Sequence, residues 1–218
     1  MGNPAPDGSH TLTALPNLFW RFHRRTHHGK RQKTSLPWEF SPAGPPPPRR
    51  YPAGVSTTRL IAFADEHVAP FAETIRDPAI LQYTGTPVPT PEGWIEAWRQ
   101  RFRDEDRANF AIVDDTGGFV GYAVTGPIDR VGATAELGYA ISPWARGRGH
   151  ATEALRLLTN WAFDDGIIRA TLLIAVSNTA SSRVAEKCGY TLEGVLRSVH
   201  QKNGRREDMQ SWSRLPTD

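Results

Sequence analysis

The alternation of apolar and polar positions divides the chain into strands and helices from about Thr57 onward. Residues 57–63 alternate and begin with β-branched side chains, which predicts a first strand. Asp65 is a candidate N-cap for a helix with one apolar face, which is expected to end before Pro78. A second amphipathic helix is predicted to start at Thr90-Pro91-Glu92, because proline is favoured in the first turn of a helix.

The rest of the chain, from residue 110 onward, contains most of the strands of the predicted sheet. Residues 110–113 and 119–124 flank a glycine-containing turn and predict a β-hairpin. The elements that follow are a strand at 134–141, a helix from about Ala151, a strand at 169–176, a helix at 179–188 and two strands joined at Asn203-Gly204. The resulting order, β-α-α-β-β-β-α-β-α-β-β, predicts an α/β domain with a mixed sheet.

Composition separates the first 54 residues from the remainder. They hold eight Arg or Lys against two acidic residues, a net charge of +6, and the other 18 basic and 21 acidic residues give −3. They also hold ten of the 18 prolines, including Pro45 to Pro48, and too few apolar residues for a core. We therefore predict a basic, disordered extension at 1–54 and one domain at 55–218. A solvated tail is one interpretation of the extension, and an arm that contacts nucleic acid or the ribosome is the other.

Several classes of protein are disfavoured by what the 218 residues contain. The single cysteine, Cys188, excludes an internal disulfide and fits a reducing cytoplasm, and the longest apolar runs are too short to cross a bilayer. We therefore expect a cytoplasmic protein without a membrane anchor, either a monomer or a homodimer. His23, His27 and His28 are clustered but have no spaced cysteine or carboxylate partners, so we predict no metal.

The turn ISPWARGRGHATEAL, at residues 141–155, joins the strand at 134–141 to the next helix. A glycine-rich loop before a helix exposes unpaired N–H groups and the positive end of the helix dipole, which suits a phosphate. The Gly-Lys-Ser/Thr of a nucleotide-triphosphate loop is missing, and Thr152 stands where a dinucleotide fingerprint needs its third glycine. The pattern Arg/Gln-x-x-Gly-x-Gly/Ala remains, and it is matched from Arg146 to Ala151.

This loop resembles the pyrophosphate-binding motif of the GNAT superfamily of acyl-CoA-dependent N-acetyltransferases. ELGYAI, at 136–141, looks like that family's fourth strand, and NTASSRVAEKCGY, at 178–190, looks like its second cofactor motif. The second motif is most similar to the branch that contains the RimJ and RimL ribosomal-protein acetyltransferases. The resemblance covers residues 57–215 and implies a mostly antiparallel sheet of about six or seven strands flanked by about four helices.

The resemblance also implies a cofactor site and a reaction. Backbone N–H groups at the helix start would hold the pyrophosphate of acetyl-CoA, and Arg146 or Arg148 would add positive charge. Backbone groups of Ala140 and Ile141 would pair with the pantetheine arm, which Asn178 would also bind, and the Ile141 N–H could polarise the thioester carbonyl. The residues of the pyrophosphate loop that supply N–H groups are Gly147, Arg148, Gly149, His150 and Ala151.

Acetyl transfer to an amine needs a base for the amine and a hydrogen-bond donor for the departing thiolate. By resemblance, Glu136 is the candidate base, and otherwise it is a charged residue on a strand edge. Related enzymes often carry a tyrosine as donor at the place of Ala185, so Ser181 is the candidate here, with helix capping as its alternative role. Cys188 is interpreted as a packing residue, and Glu186 and Lys187 as structural or exposed.

The acceptor is determined less well than the reaction. About a tenth of an α-amine is neutral at pH 7, against well under a hundredth of a lysine, so a protein N-terminus is favoured. A small-molecule amine, such as an antibiotic or a polyamine, is the alternative within the same chemistry. A non-catalytic acyl-CoA-binding regulator is the alternative of another class. Trp94, Trp98 and Phe102 either line an acceptor groove or belong to the core.

Overall fold

The computed structural model describes residues 58–202 and 204–218, without the side chain of Asp104. The predicted extension at 1–54 lies outside the described residues, as do Thr57 and Asn203. The prediction of a hairpin at Asn203-Gly204 agrees with the two long strands on either side of that turn, which are paired up to Lys202 and Arg205.

One mixed sheet runs through the described part of the chain, with seven strands in the order β1-β2-β3-β4-β5-β7-β6. Neighbouring strands are antiparallel, except that β4 and β5 are parallel. The strands are β1 (Arg59–Ala62), β2 (Asn109–Val113), β3 (Phe119–Thr125), β4 (Thr134–Ile141), β5 (Arg169–Ala175), β6 (Thr191–Lys202) and β7 (Arg205–Arg214).

Five α-helices lie among the described residues, and they cover both faces of the sheet. They are α1 (Val68–Thr74), α2 (Pro78–Tyr83), α3 (Trp94–Asp104), α4 (His150–Asp164) and α5 (Thr179–Lys187). The predicted fold, a mixed and mostly antiparallel sheet flanked by helices, is confirmed. The described residues form seven strands, as expected, and five α-helices, one more than expected.

Two apolar clusters fill the space between the sheet and its helices. The larger one packs α4 and α5 against the sheet, with Leu155, Leu158 and Leu137 almost fully buried. The smaller one packs α1 and α3 against the other face, around Phe71 and Tyr122. Burial of such side chains stabilises the fold by about 1.5–3 kcal/mol each.

The helices before β2 differ from the sequence predictions at their ends. Helix α2 was not predicted, although Asp77-Pro78 is a good signal for a helix start. Asp77 Oδ1 accepts a bond from the Ile80 N–H at 3.1 Å, and proline takes the first helical position. Asp65 begins a 3-10 turn and does not cap a helix, and its carboxylate pairs with Arg99 at 2.6 Å. The helix predicted from Thr90 begins at Trp94, after Gly93 in the left-handed region.

Candidate active site

A split between β4 and β5 is the main irregularity of the sheet. The two strands are paired only from Thr134↔Arg169 to Glu136↔Thr171, and beyond these residues they separate. We call the space between residues 137–141 and 172–175 the β4–β5 split. Because β5 remains fully paired with β7, and β4 with β3, each strand presents one unpaired edge to the split.

The register of β4 shows which backbone groups face the split. Ser142 N–H donates to Val120 O at 2.9 Å, and Gly126 N–H donates to Glu136 O at 2.8 Å. Hydrogen bonds to one neighbour involve alternate residues of an antiparallel strand, so Ala140, which lies between these two in the same series, also bonds to β3. The N–H and C=O groups of Leu137, Tyr139 and Ile141 therefore point into the split.

This register supports the prediction for Ile141 and argues against the one for Ala140. The backbone groups of Ala140 are used in the sheet, and Tyr139 supplies the next free N–H and C=O along the edge. The Ile141 carbonyl also accepts a bond from Arg146 Nε at 3.4 Å, which leaves its N–H as the unoccupied group. Tyr139 was not predicted, because strand alternation gives the period of the pattern but not which set of residues faces the split.

The predicted phosphate loop lies directly beyond the split, where β4 ends. Gly147 and Gly149 have φ of +77° and +86°, in the left-handed region that favours glycine. A Cβ added at either glycine would have no atom within 4 Å, so open space surrounds the loop. Within the described part of the chain, no backbone hydrogen bond is donated by the N–H groups of residues 147–151.

Those unpaired N–H groups lie at the start of α4, a helix of 15 residues with no side-chain cap. The helix dipole adds partial positive charge at the same place. Five unpaired donors and a helix dipole around open space are an arrangement that suits an anion.

The two arginines of the loop differ in their surroundings. Arg146 Nη2 pairs with Asp77 Oδ1 at 2.6 Å, so its charge is used to hold the start of α2. Burial raises the pKa of Asp77, but the Arg146 guanidinium and the Ile80 N–H outweigh it and hold that pKa below its usual value. Arg148 is exposed and forms no ion pair with a described residue, which makes it the better candidate to contact an anion.

His150 contributes its backbone to the loop, while its side chain turns inward. The ring is buried, and Nδ1 lies 2.9 Å from Thr58 Oγ1, on the residue before β1. This contact anchors the start of α4 to the edge of the sheet. The predicted role of the His150 N–H in binding the coenzyme stays a prediction, and the side chain has a structural contact.

Glu136 lies at the last point where β4 and β5 are paired, and it is half-buried. Burial raises the pKa of Glu136 to about 8, although the nearby Arg107 guanidinium favours the charged form and lowers it. The Arg107 side chain is only 8% exposed and is itself paired with Glu105. A carboxyl group with a pKa near neutrality can exchange a proton under ordinary conditions, as a general base must.

Asn178 and Ser181 form the start of α5, next to the end of β5. Asn178 is the N-cap: its Oδ1 accepts a bond from the Ser181 N–H at 3.2 Å. The predicted capping role of Asn178 is therefore present, and its amide nitrogen is left over for another partner. Ser181 is half-buried, and the helix places it on the side of the sheet that carries α4.

The candidate base and the candidate donor approach the split from opposite faces of the sheet. Leu137 and Ile141 point toward the α4 and α5 side, whereas Ala140 points toward α1 and α3. Glu136 shares the Ala140 face, because side chains alternate along a strand. A group held in the split would thus have Glu136 on one side and Ser181 on the other.

Two further predictions, for Cys188 and Trp98, concern residues outside this arrangement. Cys188 is buried, and its Sγ lies 3.3 Å from the Thr152 carbonyl oxygen, so it packs α5 against α4. Burial also raises the pKa of its thiol, which disfavours a nucleophilic thiolate. Trp98 stacks on Phe71 with ring centroids 4.6 Å apart, so the core interpretation of that helix applies to Trp98.

Comparison with known proteins places this geometry in a family. The model of the acetyltransferase (GNAT) domain matches residues 58–191, which is more than half of the chain. The chain therefore belongs to the GNAT acetyltransferase family. The predicted resemblance is confirmed at the level of the family.

Relatives of known sequence include ribosomal acetyltransferases by name. The chain is 31% identical over 122 residues to the Bacillus subtilis (strain 168) protein named "Putative ribosomal N-acetyltransferase YdaF", a match that covers 56% of this chain and 66% of that protein. It is 29% identical over 89 residues to the ribosomal-protein-serine acetyltransferase of Escherichia coli (strain K12), covering 40% and 50%. The matched region thus spans from about half to about two thirds of these relatives.

Solved structures share the fold at lower identity. A spermidine N-acetyltransferase from Vibrio cholerae, in complex with CoA and spermine, superimposes with a TM-score of 0.67 at 21% identity, over 73% of this chain and 96% of that one. The microcin C7 self-immunity acetyltransferase MccE, in complex with acetyl-CoA and AMP, gives 0.62 at 22% identity, over 72% and 92%. At these identities the likeness describes the fold.

Two further features concern the helices and the potential metal ligands of the described residues. None of their helices combines the length and the apolar character that a membrane span requires. Groups of three or more His, Cys, Asp or Glu side chains placed to hold a metal ion are not found among them either. The clustered His23, His27 and His28 lie outside the described part of the chain.

Proposed function

We propose that this protein is an N-acetyltransferase that moves the acetyl group of acetyl-CoA directly to a primary amine, and that a protein N-terminal α-amine is the favoured acceptor. The observation that carries the proposal is the continuity of the β4–β5 split with the phosphate loop. An unpaired strand edge followed by five free N–H groups suits a ligand with amides at one end and a pyrophosphate at the other.

The pantetheine arm is expected to lie in the split. The Ile141 N–H and the Tyr139 N–H and C=O face the space where its amides would run, and Asn178 lies beside the end of that space. The pyrophosphate would occupy the loop at 147–151, with Arg148 as the nearest free charge. This assignment puts the thioester between Glu136 and Ser181.

Glu136 would act as the general base in this arrangement. A neutral amine attacks the thioester carbonyl, and its excess proton passes to the Glu136 carboxylate through water and then to solvent. The Ile141 N–H polarises the carbonyl oxygen as negative charge develops there. When the C–S bond breaks, its electron pair stays on sulfur, and the Ser181 hydroxyl stabilises the thiolate until it takes a proton from solvent.

The preference for an N-terminal acceptor rests on the chemistry of the amine and on the named relatives. An α-amine is about a tenth neutral at pH 7, so a base of modest strength is sufficient for it. The named relatives include ribosomal acetyltransferases, which fits the same preference.

The test is a screen for release of the CoA thiol with the full-length protein. The acceptors are peptides with a free N-terminus, the same peptides with a blocked N-terminus and an internal lysine, polyamines and amine antibiotics. Thiol release with the free peptides but not with the blocked ones supports the proposal. Faster turnover of a polyamine or an antibiotic overturns the choice of acceptor, and no turnover with any amine overturns the enzyme activity itself.

A further inference from the structure

Two pairs of buried polar side chains hold the ends of the segment that contains the loop at 147–151. At its start, Ser142 Oγ lies 2.6 Å from Oγ1 of Thr74, the last residue of α1, and both residues are fully buried. At its end, His150 Nδ1 lies 2.9 Å from Thr58 Oγ1, and these two residues are almost fully buried as well. The partners are 68 positions apart in the first pair and 92 in the second, so each pair joins the segment to a distant part of the chain.

Stability alone does not call for polar pairs at these positions. A buried hydrogen bond adds little net free energy to folding, and an apolar pair of the same shape is often about as stable. What a satisfied polar pair adds is direction, because its two atoms must meet at a short distance and within a limited range of angles. A contact of this kind therefore favours one backbone arrangement over others that would pack equally well.

The residues between the two pairs include the part of the loop that is hardest to hold in one conformation. Gly147 and Gly149 have φ of +77° and +86°, and glycine loses more conformational freedom than any other residue when its backbone is fixed. A Cβ added at either glycine would meet no atom within 4 Å, so no described residue packs against these positions. Without fixed ends the loop would sample several arrangements, and only some of them direct its N–H groups toward one ligand.

We propose that Thr58 and Thr74 are positioning residues for coenzyme binding: they hold the two ends of the segment at 142–150, so that its N–H groups are arranged for the pyrophosphate before the coenzyme arrives. This inference rests on the proposed function, because it needs the loop to bind the coenzyme. Each threonine acts through its partner in the segment. The apparent affinity falls in proportion to the fraction of molecules in which the loop is correctly arranged, and the two contacts keep that fraction high.

The main test is Thr58→Val in the full-length protein, with calorimetric titration of CoA. Valine keeps the branched shape of threonine but has no hydroxyl group, so the contact with His150 is lost. We expect the Kd for CoA to rise about three- to tenfold, as when the loop is correctly arranged in about a third to a tenth of the molecules. Thr74→Val removes the contact with Ser142 and should have an effect of the same kind.

Steady-state kinetics separates this role from a contribution to the chemical step. In both valine variants the KM for acetyl-CoA should rise, whereas kcat and the KM for the amine should stay nearly the same. The reason is that saturating coenzyme selects the molecules in which the loop is correctly arranged. A fall in kcat with an unchanged KM for acetyl-CoA would contradict the inference.

Thr58→Ser is the conservative variant, because it retains the hydroxyl group and loses only the methyl group. Its Kd for CoA should stay close to that of the unmodified protein, even where the melting temperature falls. A Kd that rises as much with serine as with valine would mean that the methyl group, and not the contact with His150, sets the affinity. That result overturns the inference.

Thr159→Val is the matched control for loss of a buried hydroxyl group. Thr159 is fully buried, and its Oγ1 lies 2.7 Å from the hydroxyl oxygen of another buried residue, Tyr190. It belongs to the same helix, nine residues after His150, which is about 13 Å along the helix axis. This variant should melt at a lower temperature and bind CoA with unchanged Kd.

The outcomes distinguish this inference from the proposed function. An unchanged Kd in Thr58→Val or in Thr74→Val overturns the inference and leaves the proposed function standing. A rise of the same size in Thr159→Val does so too, because general loss of stability would then explain the weaker binding. Failure of the unmodified protein to bind CoA overturns the proposed function and this inference together.

Discussion

The coenzyme side and the acceptor side of the candidate site are built in different ways. The proposed coenzyme side, at the β4–β5 split and the loop at 147–151, presents backbone groups from one continuous stretch of chain. The proposed acceptor side, at Glu136, depends on contacts between distant residues. Arg107, for example, lies 29 positions before Glu136, and its guanidinium lowers the pKa of that carboxyl group.

This difference explains which part of the function the structure supports best. Backbone groups on a strand edge and a helix start recognise amides and phosphates whatever the neighbouring side chains are. An amine acceptor must be selected by side chains. The coenzyme class therefore follows from local geometry, while the acceptor class needs the screen described above.

The largest effect is expected from Glu136→Gln, which tests the acceptor side directly. Gln keeps the shape of the side chain but cannot take a proton, so kcat should fall by a factor of about 100 to 10,000. KM for acetyl-CoA should not change, because the coenzyme groups are on the backbone. Steady-state kinetics with a good acceptor measures both quantities, and unaltered turnover would remove Glu136 from the mechanism.

The same variant is expected to lower kcat but to stabilise the folded protein, and this gain in stability serves as its control for folding. The pKa of Glu136 is raised from 4.5 to about 8, so the folded state favours the neutral carboxyl. As pH rises from 4.5 to 8, the unfolded chain ionises first, and the folded protein loses stability relative to it. Glu136→Gln should therefore raise the melting temperature at pH 8 and leave it nearly unchanged at pH 4.

A smaller but clear effect is expected on the coenzyme side from Gly149→Val. Valine at φ of +86° is strained, so the loop must change its backbone and lose the arrangement of its N–H groups. We expect the Kd for CoA to rise more than tenfold, since several charge-assisted bonds are affected. Calorimetric titration of CoA measures this effect without any acceptor.

Gly166→Val is the matched control for that change. Gly166 has φ of +87° and, like Gly149, no atom within 4 Å of an added Cβ, but it follows the other end of α4. Both variants should lose a similar amount of stability, and only the one in the loop should lose CoA affinity. Equal affinities in the two proteins would mean that the loop does not bind the coenzyme.

The sequence predicted the fold and the glycine loop before α4 well, for a physical reason. Strand alternation, helix periodicity and the glycines at 147 and 149 are local signals, and the structure uses them locally. The pairing of Arg146 with Asp77, 69 positions apart, depends on how α2 packs, and the sequence interpretation had missed α2. The pKa of Glu136 is raised by burial and lowered by Arg107. Sequence periodicity does not show that Glu136 and Arg107 lie close together.

A shift of the pH profile is expected when Arg107 is replaced. The base must be ionised, so kcat should rise with pH through the pKa of Glu136, which is about 8. Arg107 lowers that pKa, and Arg107→Met should therefore move the rising limb to higher pH and reduce kcat at pH 7. Acceptors with different amine pKa values separate this limb from the titration of the amine itself.

Glu105→Gln is the control for the Arg107 variant, because it breaks the ion pair at Arg107 and keeps the guanidinium near Glu136. Its pH profile should stay closer to that of the unmodified protein. A limb that does not move in Arg107→Met, in a protein that melts at a normal temperature, would mean that another group sets the profile.

The smallest effect is expected from replacing the two arginines of the loop. One of them is exposed beside the proposed coenzyme site, and the other is paired with the start of α2. Arg148 is exposed and forms no ion pair with a described residue, so Arg148→Gln should raise the Kd for CoA a few-fold, and the difference should shrink in high salt. Arg146 is held by Asp77, so Arg146→Gln should change the Kd less and lower the melting temperature more. Titration of CoA at two salt concentrations measures both variants. The reverse order would mean that Arg146 leaves Asp77 to bind the pyrophosphate, and that the start of α2 moves when the coenzyme binds.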